Sequence, residues 1–206
     1  MQIPPLQVKP LGLSDYQATW DGMKSFTRRR DPQTPDELWI TEHAPVFTQG
    51  LNGRAEHLLD PGDIPVVQID RGGQVTYHGP GQLVLYCLID IARRGFGVKS
   101  LVSRIEASVI ELLAGYAIEA HTRPGAPGVY VDRAKIAALG LRIRKGCCYH
   151  GLSLNVDMDL APFTRINPCG YKDLAVTQLR DFGVSDSVER VGLKLAEILT
   201  RNLQSA

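Results

Sequence analysis

The segment Arg71-Gly72-Gly73-Gln74-Val75-Thr76-Tyr77-His78-Gly79-Pro80-Gly81-Gln82 constrains this chain more than any other stretch of it. Four glycines and a proline within twelve residues cost backbone entropy that an ordinary turn does not require, so the chain must turn sharply here or approach something closely. The run that follows, residues 82–91, is rich in β-formers, so the segment reads as a glycine-dense turn delivering the chain into a strand. Two uses stay open: a wide hairpin loop, or a wall for a ligand with Arg71, Thr76, Tyr77 and His78 supplying polar contacts. A phosphate loop is unsupported because no Gly-Lys-Ser/Thr follows the glycines.

Around this segment the pattern is mixed. Strands are predicted over residues 6–11, 37–41, 66–70 and 82–91, and a meander of antiparallel strands over 128–132, 135–144 and 149–156. Ser14-Asp15 caps a helix running towards Arg30, with Tyr16, Trp20, Met23 and Phe26 as its apolar stripe. Leu101, Val102, Ile105, Val109, Leu112 and Leu113 mark a helix over 100–116. A last helix, 186–203, opens with Asp186 three residues before Glu189, as a capping box does. Residues 60–65 and 123–128 read as loops rather than domain boundaries, because strand-like runs resume at once. One α+β domain over residues 1–206 is the expectation.

With 206 residues the chain buries roughly 70% of its unfolded surface and needs no staples. A net charge of +1 gives no whole-protein field for nucleic acid or an anionic membrane. The longest apolar run, 83–91, is too short to span a bilayer and carries Asp90, and the amino terminus lacks a secretory pattern, so a cytoplasmic location is the simplest expectation. Cys87, Cys147, Cys148 and Cys169 are sparse for a disulfide framework and are expected as free thiols.

Cys169 lies between Pro168 and Gly170, a turn context that exposes a thiol and leaves adjacent N–H groups open to an oxyanion. A nucleophilic cysteine needs an activator, since a free thiol near pKa ~8.5 is mostly protonated. His150, in Cys147-Cys148-Tyr149-His150, and Lys135, ahead of Ile136-Ala137-Ala138-Leu139-Gly140, are the two candidates. The alternatives are a buried structural cysteine, a surface lysine, and a zinc site built from Cys147, Cys148, His150 and Cys169. Adjacent cysteines are poor chelate spacing for zinc.

Taken together, these segments resemble the lipoyl(octanoyl) transferase family. The resemblance is carried by residues 71–82, by Lys135-Ile136-Ala137-Ala138-Leu139-Gly140, by His150-Gly151-Leu152-Ser153-Leu154-Asn155 and by Asn167-Pro168-Cys169-Gly170. It implies an α+β domain with a mixed β-sheet flanked by helices, like the catalytic domain of lipoate and biotin protein ligases. It implies Cys169 as acyl-thioester nucleophile and Lys135 as the lysine that lowers its pKa and relays protons. Residues 71–78, Ala138-Leu139-Gly140 and Gly151-Leu152-Ser153 would line the acyl pocket, with His78 and His150 shaping it rather than acting as bases. The implied donor is octanoyl-acyl carrier protein, and the implied acceptors are lipoyl domains of 2-oxoacid dehydrogenases and the glycine cleavage H protein. The resemblance further implies a monomer that needs no ATP, no metal and no cofactor beyond the donor's phosphopantetheine arm. Cys148 stands where the family commonly has Ser, a spare thiol near the pocket, and Ser153 where Ala is frequent. Basic clusters at Arg28-Arg29-Arg30 and at Arg142, Arg144 and Lys145 are candidates for guiding acidic carriers.

Overall fold

A computed structural model describes residues 3–168 and 174–204. Among the described residues, six strands form one sheet in the order β1 (Gln7–Ser14), β2 (Glu37–His43), β6 (Gln82–Asp90), β9 (Cys147–Asn155), β8 (Ala134–Arg144), β7 (Val129–Val131). Three more form a small sheet in the order β4 (Val66–Gln68), β3 (Val46–Gln49), β5 (Val75–His78). β1 runs parallel to β2 and β4 parallel to β3, while the other pairs are antiparallel, so both sheets are mixed. The helices are α1 (Tyr16–Arg29), α2 (Val98–Ala114) and α3 (Val188–Gln204).

β6 is buried along nearly its whole length because its alternate side chains feed two cores. Leu83, Leu85, Cys87 and Ile89 join Leu101, Ile105 and Val109 of α2 and Val191, Leu195 and Leu199 of α3. Val84, Tyr86 and Leu88 join Met23 and Trp20 of α1. Each fully buried aliphatic side chain is worth about 1.5–3 kcal/mol, and this double use of one strand makes β6 the axis of the α+β fold. Phe47, Val75, Tyr77, Met158, Phe163 and Ile166 form a separate apolar cluster under the small sheet.

Asp36 locks the entry to β2. Fully buried, it takes Arg30, Arg93 at 2.9 Å, Arg94 at 2.6 Å and the Asp90 N–H at 2.9 Å. Burial alone would raise its pKa, but the Asp90 N–H and the arginines outweigh that and hold it below the usual carboxylate range.

The elements differ from the sequence expectation at a few points. The small sheet is assembled partly from the glycine-rich segment, whose residues 75–78 are strand rather than loop, and from β3, which follows β2 too closely to read as separate. Asp15 caps α1 as expected, its Oδ1 accepting the Ala18 N–H at 2.8 Å. Asp186 does not cap α3: it accepts from Lys194 at 2.7 Å and Tyr116 at 2.8 Å, and Ser187 Oγ takes the Arg190 N–H instead. No helix among the described residues is long and apolar enough to cross a membrane.

Candidate active site

A cavity of about 460 Å³ opens between the small sheet and the face of β6, β9 and β8, a size ordinary for a small-molecule site. Arg71 to Thr76, His78, Lys135, Ala138 to Gly140 and His150 to Ser153 all border it, so segments far apart in sequence converge on one space. Strand register explains the convergence: Ala138 lies opposite Ser153, Gly140 opposite Gly151, and Ser153 opposite Val84 on β6. Tyr77 does not border the cavity. β5 alternates, so Thr76 and His78 face the space while the Tyr77 ring packs against Phe47 at 5.4 Å and Phe163 at 5.6 Å. Sequence reasoning missed Tyr16 and Tyr86 as well as Val98 and Val102 on α2 and the loop at 125–127. Tyr16 and Val102 sit in apolar stripes that signal burial, and nothing in such a stripe distinguishes a core contact from a cavity wall.

Lys135 is only 4% exposed, which is rare for a lysine and settles its direction as inward. Its Nζ donates to Pro127 O at 3.1 Å and stands 5.2 Å from the centre of the Tyr130 ring. Its own backbone is clamped, N–H to Ala175 O at 2.8 Å and O from Thr177 N–H at 3.1 Å. Cys169 and Gly170 lie outside the described residues. On the side before them, Asn167 N–H donates to His57 O at 2.8 Å, and Leu58 bridges Ile166. On the side after them, Val176 bridges Lys135. Pro168 and Val176 border a small recess together with Lys135, Thr76 and Ser153.

A chain of buried polar groups joins the cavity to this clamp. Arg71 Nη2 donates to Thr48 Oγ1 at 3.0 Å, and His78 Nε2 faces that hydroxyl at 3.5 Å. His78 Nδ1 donates to Gln82 Oε1 at 2.7 Å, Gln82 Nε2 to Asn155 Oδ1 at 3.0 Å, and Asn155 Nδ2 to Thr177 O at 2.9 Å. Burial, aided by repulsion from His43, pushes the His78 imidazole down to about 3, so it is neutral and no base near pH 7.

At another corner Asp70 accepts Trp20 Nε1 at 2.8 Å, His150 Nε2 at 2.9 Å and the Tyr149 hydroxyl. Burial would raise the Asp70 carboxyl, but His150, Tyr149 and Trp20 outweigh it and hold it well below the carboxylate range. Burial depresses His150, leaving it neutral with its proton on Nε2. The backbone gives the reason both side chains reach one carboxylate. His150 has φ +62° in mid-strand, which turns it to the same side as Tyr149, with the two rings stacked 5.1 Å apart. Tyr86 is anchored by donating to His43 Nε2 at 2.7 Å, while His43 Nδ1 donates to Ser14 O at 2.9 Å.

The remaining sequence candidates separate cleanly. Cys148 belongs to the core shared with α2 and α3, and burial pushes its thiol far above the ordinary range, so it is not the spare reactive thiol expected beside the pocket. Burial likewise lifts Cys87 to about 12. No group of three or more His, Cys, Asp or Glu able to hold a metal occurs among the described residues. Arg30 is spent on Asp36 and leaves the first basic cluster, whereas Arg28, Arg29, Arg144 and Lys145 are exposed.

The family model described as Lipoyl protein ligase A/B catalytic domain matches residues 15–200. A protein named Octanoyltransferase from Azotobacter vinelandii (strain DJ / ATCC BAA-1303) is 70% identical over 174 residues, 84% of this chain and 80% of that one. Another of the same name from Pseudomonas fluorescens (strain SBW25) is 60% identical over 201 residues, 98% of this chain and 94% of that one. Among solved structures, a bipartite lipoate protein ligase from Thermoplasma acidophilum, described with its E2 lipoyl domain, superposes with a TM-score of 0.73 at 17% identity. That match covers 98% of this chain and 84% of the other.

Proposed function

The chain belongs to the lipoyl protein ligase A/B catalytic domain family, and on that premise we propose that it is an acyltransferase of protein lipoylation that moves an octanoyl group from octanoyl-acyl carrier protein, through a thioester on Cys169, to a lysine of a lipoyl domain. The observation that carries this reading is the buried Lys135 amine at the edge of a cavity, in one recess with Pro168, the residue before Cys169.

The Lys135 ammonium stabilises the Cys169 thiolate, which attacks the carbonyl carbon of the donor thioester. The C–S bond to the carrier's pantetheine breaks as the bond to Cys169 forms, and Lys135 passes its proton to the departing pantetheine thiolate. The neutral amine then takes a proton from the acceptor lysine, whose nitrogen attacks the acyl-enzyme and releases the Cys169 thiolate. Thioester for thioester is near neutral and thioester to amide is downhill, so the sequence needs no ATP. His78 and His150, both neutral, shape the cavity without exchanging protons.

The acyl chain lies in the cavity, where each buried methylene adds about 0.8 kcal/mol, or roughly fourfold in binding. Tyr86, pinned through His43, and Tyr16, whose ring stacks on His78 at 5.8 Å, are the bulky groups that limit its length. The donor supplies the phosphopantetheine arm, and no metal or further cofactor enters the reaction. The acceptors are the lipoyl domains of 2-oxoacid dehydrogenases and the glycine cleavage H protein. The reading carries with it a monomeric enzyme in the cytoplasm.

Intact-mass spectrometry of the protein mixed with octanoyl-acyl carrier protein, without ATP, tests this reading. An octanoyl adduct on wild type, absent in Cys169→Ala and discharged by an unmodified lipoyl domain, is the expected result. Transfer that appears only when ATP and free octanoate are supplied refutes it and makes the protein an ATP-dependent ligase.

A further inference from the structure

We propose that Glu106 on α2 is a positioning residue for Lys135, acting through a single peptide plane; the inference rests on Lys135 being the proton shuttle. Glu106 Oε1 accepts the Gly128 N–H at 2.9 Å. The other end of that same peptide is the Pro127 carbonyl, which accepts from Lys135 Nζ at 3.1 Å. A carboxylate on the N–H end polarises the amide and makes its oxygen a stronger acceptor for a cation. One helix side chain therefore holds the amine and favours its ammonium form without touching any reacting atom.

The plane is held against rotation on both sides. Tyr130 Oη donates to Ala126 O at 3.1 Å, fixing the preceding carbonyl. Gly128 has φ +135°, a conformation that residues with a Cβ avoid. A Cβ there would stand 2.7 Å from Ala137 O, 3.1 Å from Lys135 Cε and 3.3 Å from Lys135 Nζ, so the main chain lies directly against the lysine's end. The Tyr130 ring, with Lys135 Nζ 5.2 Å and the Arg123 guanidinium carbon 4.2 Å from its centre, lies beside both cations. Arg123 is itself tied to Asp132 O at 3.0 Å, so it holds the loop rather than competing for the Pro127 carbonyl.

The test compares wild type, Glu106→Ala, Glu106→Gln and Lys135→Ala in two assays. One is the pH dependence of Cys169 alkylation by iodoacetamide, read by peptide mass spectrometry; the other is kcat and KM for octanoyl transfer. Glu106→Ala is expected to raise the midpoint of thiol reactivity by about one pH unit, an approximately tenfold loss of thiolate at neutral pH. It should lower kcat by a similar factor and leave KM for the donor unchanged. Glu106→Gln, which keeps an acceptor for the Gly128 N–H but not its charge, should fall between Glu106→Ala and wild type in both. A Glu106→Gln no better than Glu106→Ala is what charge alone predicts, and one better than wild type overturns the relay. An unchanged midpoint and kcat in Glu106→Ala overturn the proposal, and so does a variant that loses only thermal stability. If Lys135→Ala shifts the midpoint and Glu106→Ala does not, the relay alone fails. If Lys135→Ala leaves the midpoint in place, the shuttle reading fails and takes the relay with it.

Discussion

Replacing Asp70 with asparagine isolates the carboxylate that gathers Trp20, Tyr149 and His150. An asparagine side chain offers one neutral acceptor oxygen where the carboxylate offered two charged ones. Trp20 Nε1 and His150 Nε2 share Oδ1 while the Tyr149 hydroxyl takes Oδ2, so an amide oxygen that keeps the first two turns the NH2 to Tyr149. Tyr149 then loses its acceptor, and Trp20 and His150 keep only a neutral one. Hydrogen bonds to charged groups are worth about 1.5–3 kcal/mol each. Because Asp70 is 28% exposed and water recovers part of that, the net loss at pH 7 is put at about 3 kcal/mol. The pH dependence follows from the sign of the shift. The folded carboxyl is held below its unfolded value, so its contribution is complete above the unfolded pKa of about 3.9 and is lost as pH falls towards the folded one. The gap between wild type and Asp70→Asn should therefore stay constant from pH 7 to about 5. Below about pH 4 it should close at a slope approaching 1.4 kcal/mol per unit. Urea unfolding of both proteins at pH 7, 5 and 3 measures it. With a slope near 2 kcal/mol per molar, the midpoints should differ by about 1.5 M at pH 7. A gap equally large at pH 3, or no gap at pH 7, refutes the argument.

Asp36→Asn strands three arginines around a neutral amide and should cost about 3–5 kcal/mol, lowering the melting temperature by roughly 10 °C while activity per folded molecule is unchanged. Gly151→Ala places a Cβ on Leu85 O and 3.0 Å from Tyr86 Cα, so β6 and β9 must part. It should lose more than about 3 kcal/mol in denaturant unfolding, where an alanine tolerated at this site would show no change. Under native conditions a maleimide should leave Cys87 and Cys148 unlabelled, both being buried with raised thiol pKa values; peptide mapping that finds label on either contradicts this.

The parts of the fold that the sequence discloses are those with a strong local signal. The apolar run of β6, the stripe of α2 and the Asp15 cap each report a single element, and each lies within a few residues of its expected place. The 71–78 segment and the stretches at 138–140 and 150–153 border the cavity as their motifs lead one to expect, Tyr77 being the exception that strand alternation explains. The residues around Lys135 left a surface position open, and its burial is seen only in the fold. What stays hidden depends on tertiary geometry. Nothing near Tyr16 or Tyr86 indicates that their rings meet His43 and His78. The φ +62° of His150 and the shared peptide between Glu106 and Lys135 appear only once strands distant in sequence are paired. Cys148 looked like a pocket neighbour because it adjoins the His150 segment, yet the turn in the backbone at His150 separates their faces.

The place of β6 in the sheet has a consequence during synthesis. One of its edges is covered by β2, made earlier, but the other waits for β9, and Gln82 is separated from its partner Asn155 by 73 residues. At about 5–20 residues per second that interval lasts roughly 4–15 s. Throughout it, a nine-residue strand dense in Leu, Val, Ile and Tyr presents an unpaired edge to the cell. The strand that later floors the cavity is thus an association-prone segment while the chain is being made. The yield of active protein should answer to elongation rate and chaperone supply over residues 90–155 more than to the strength of the finished fold.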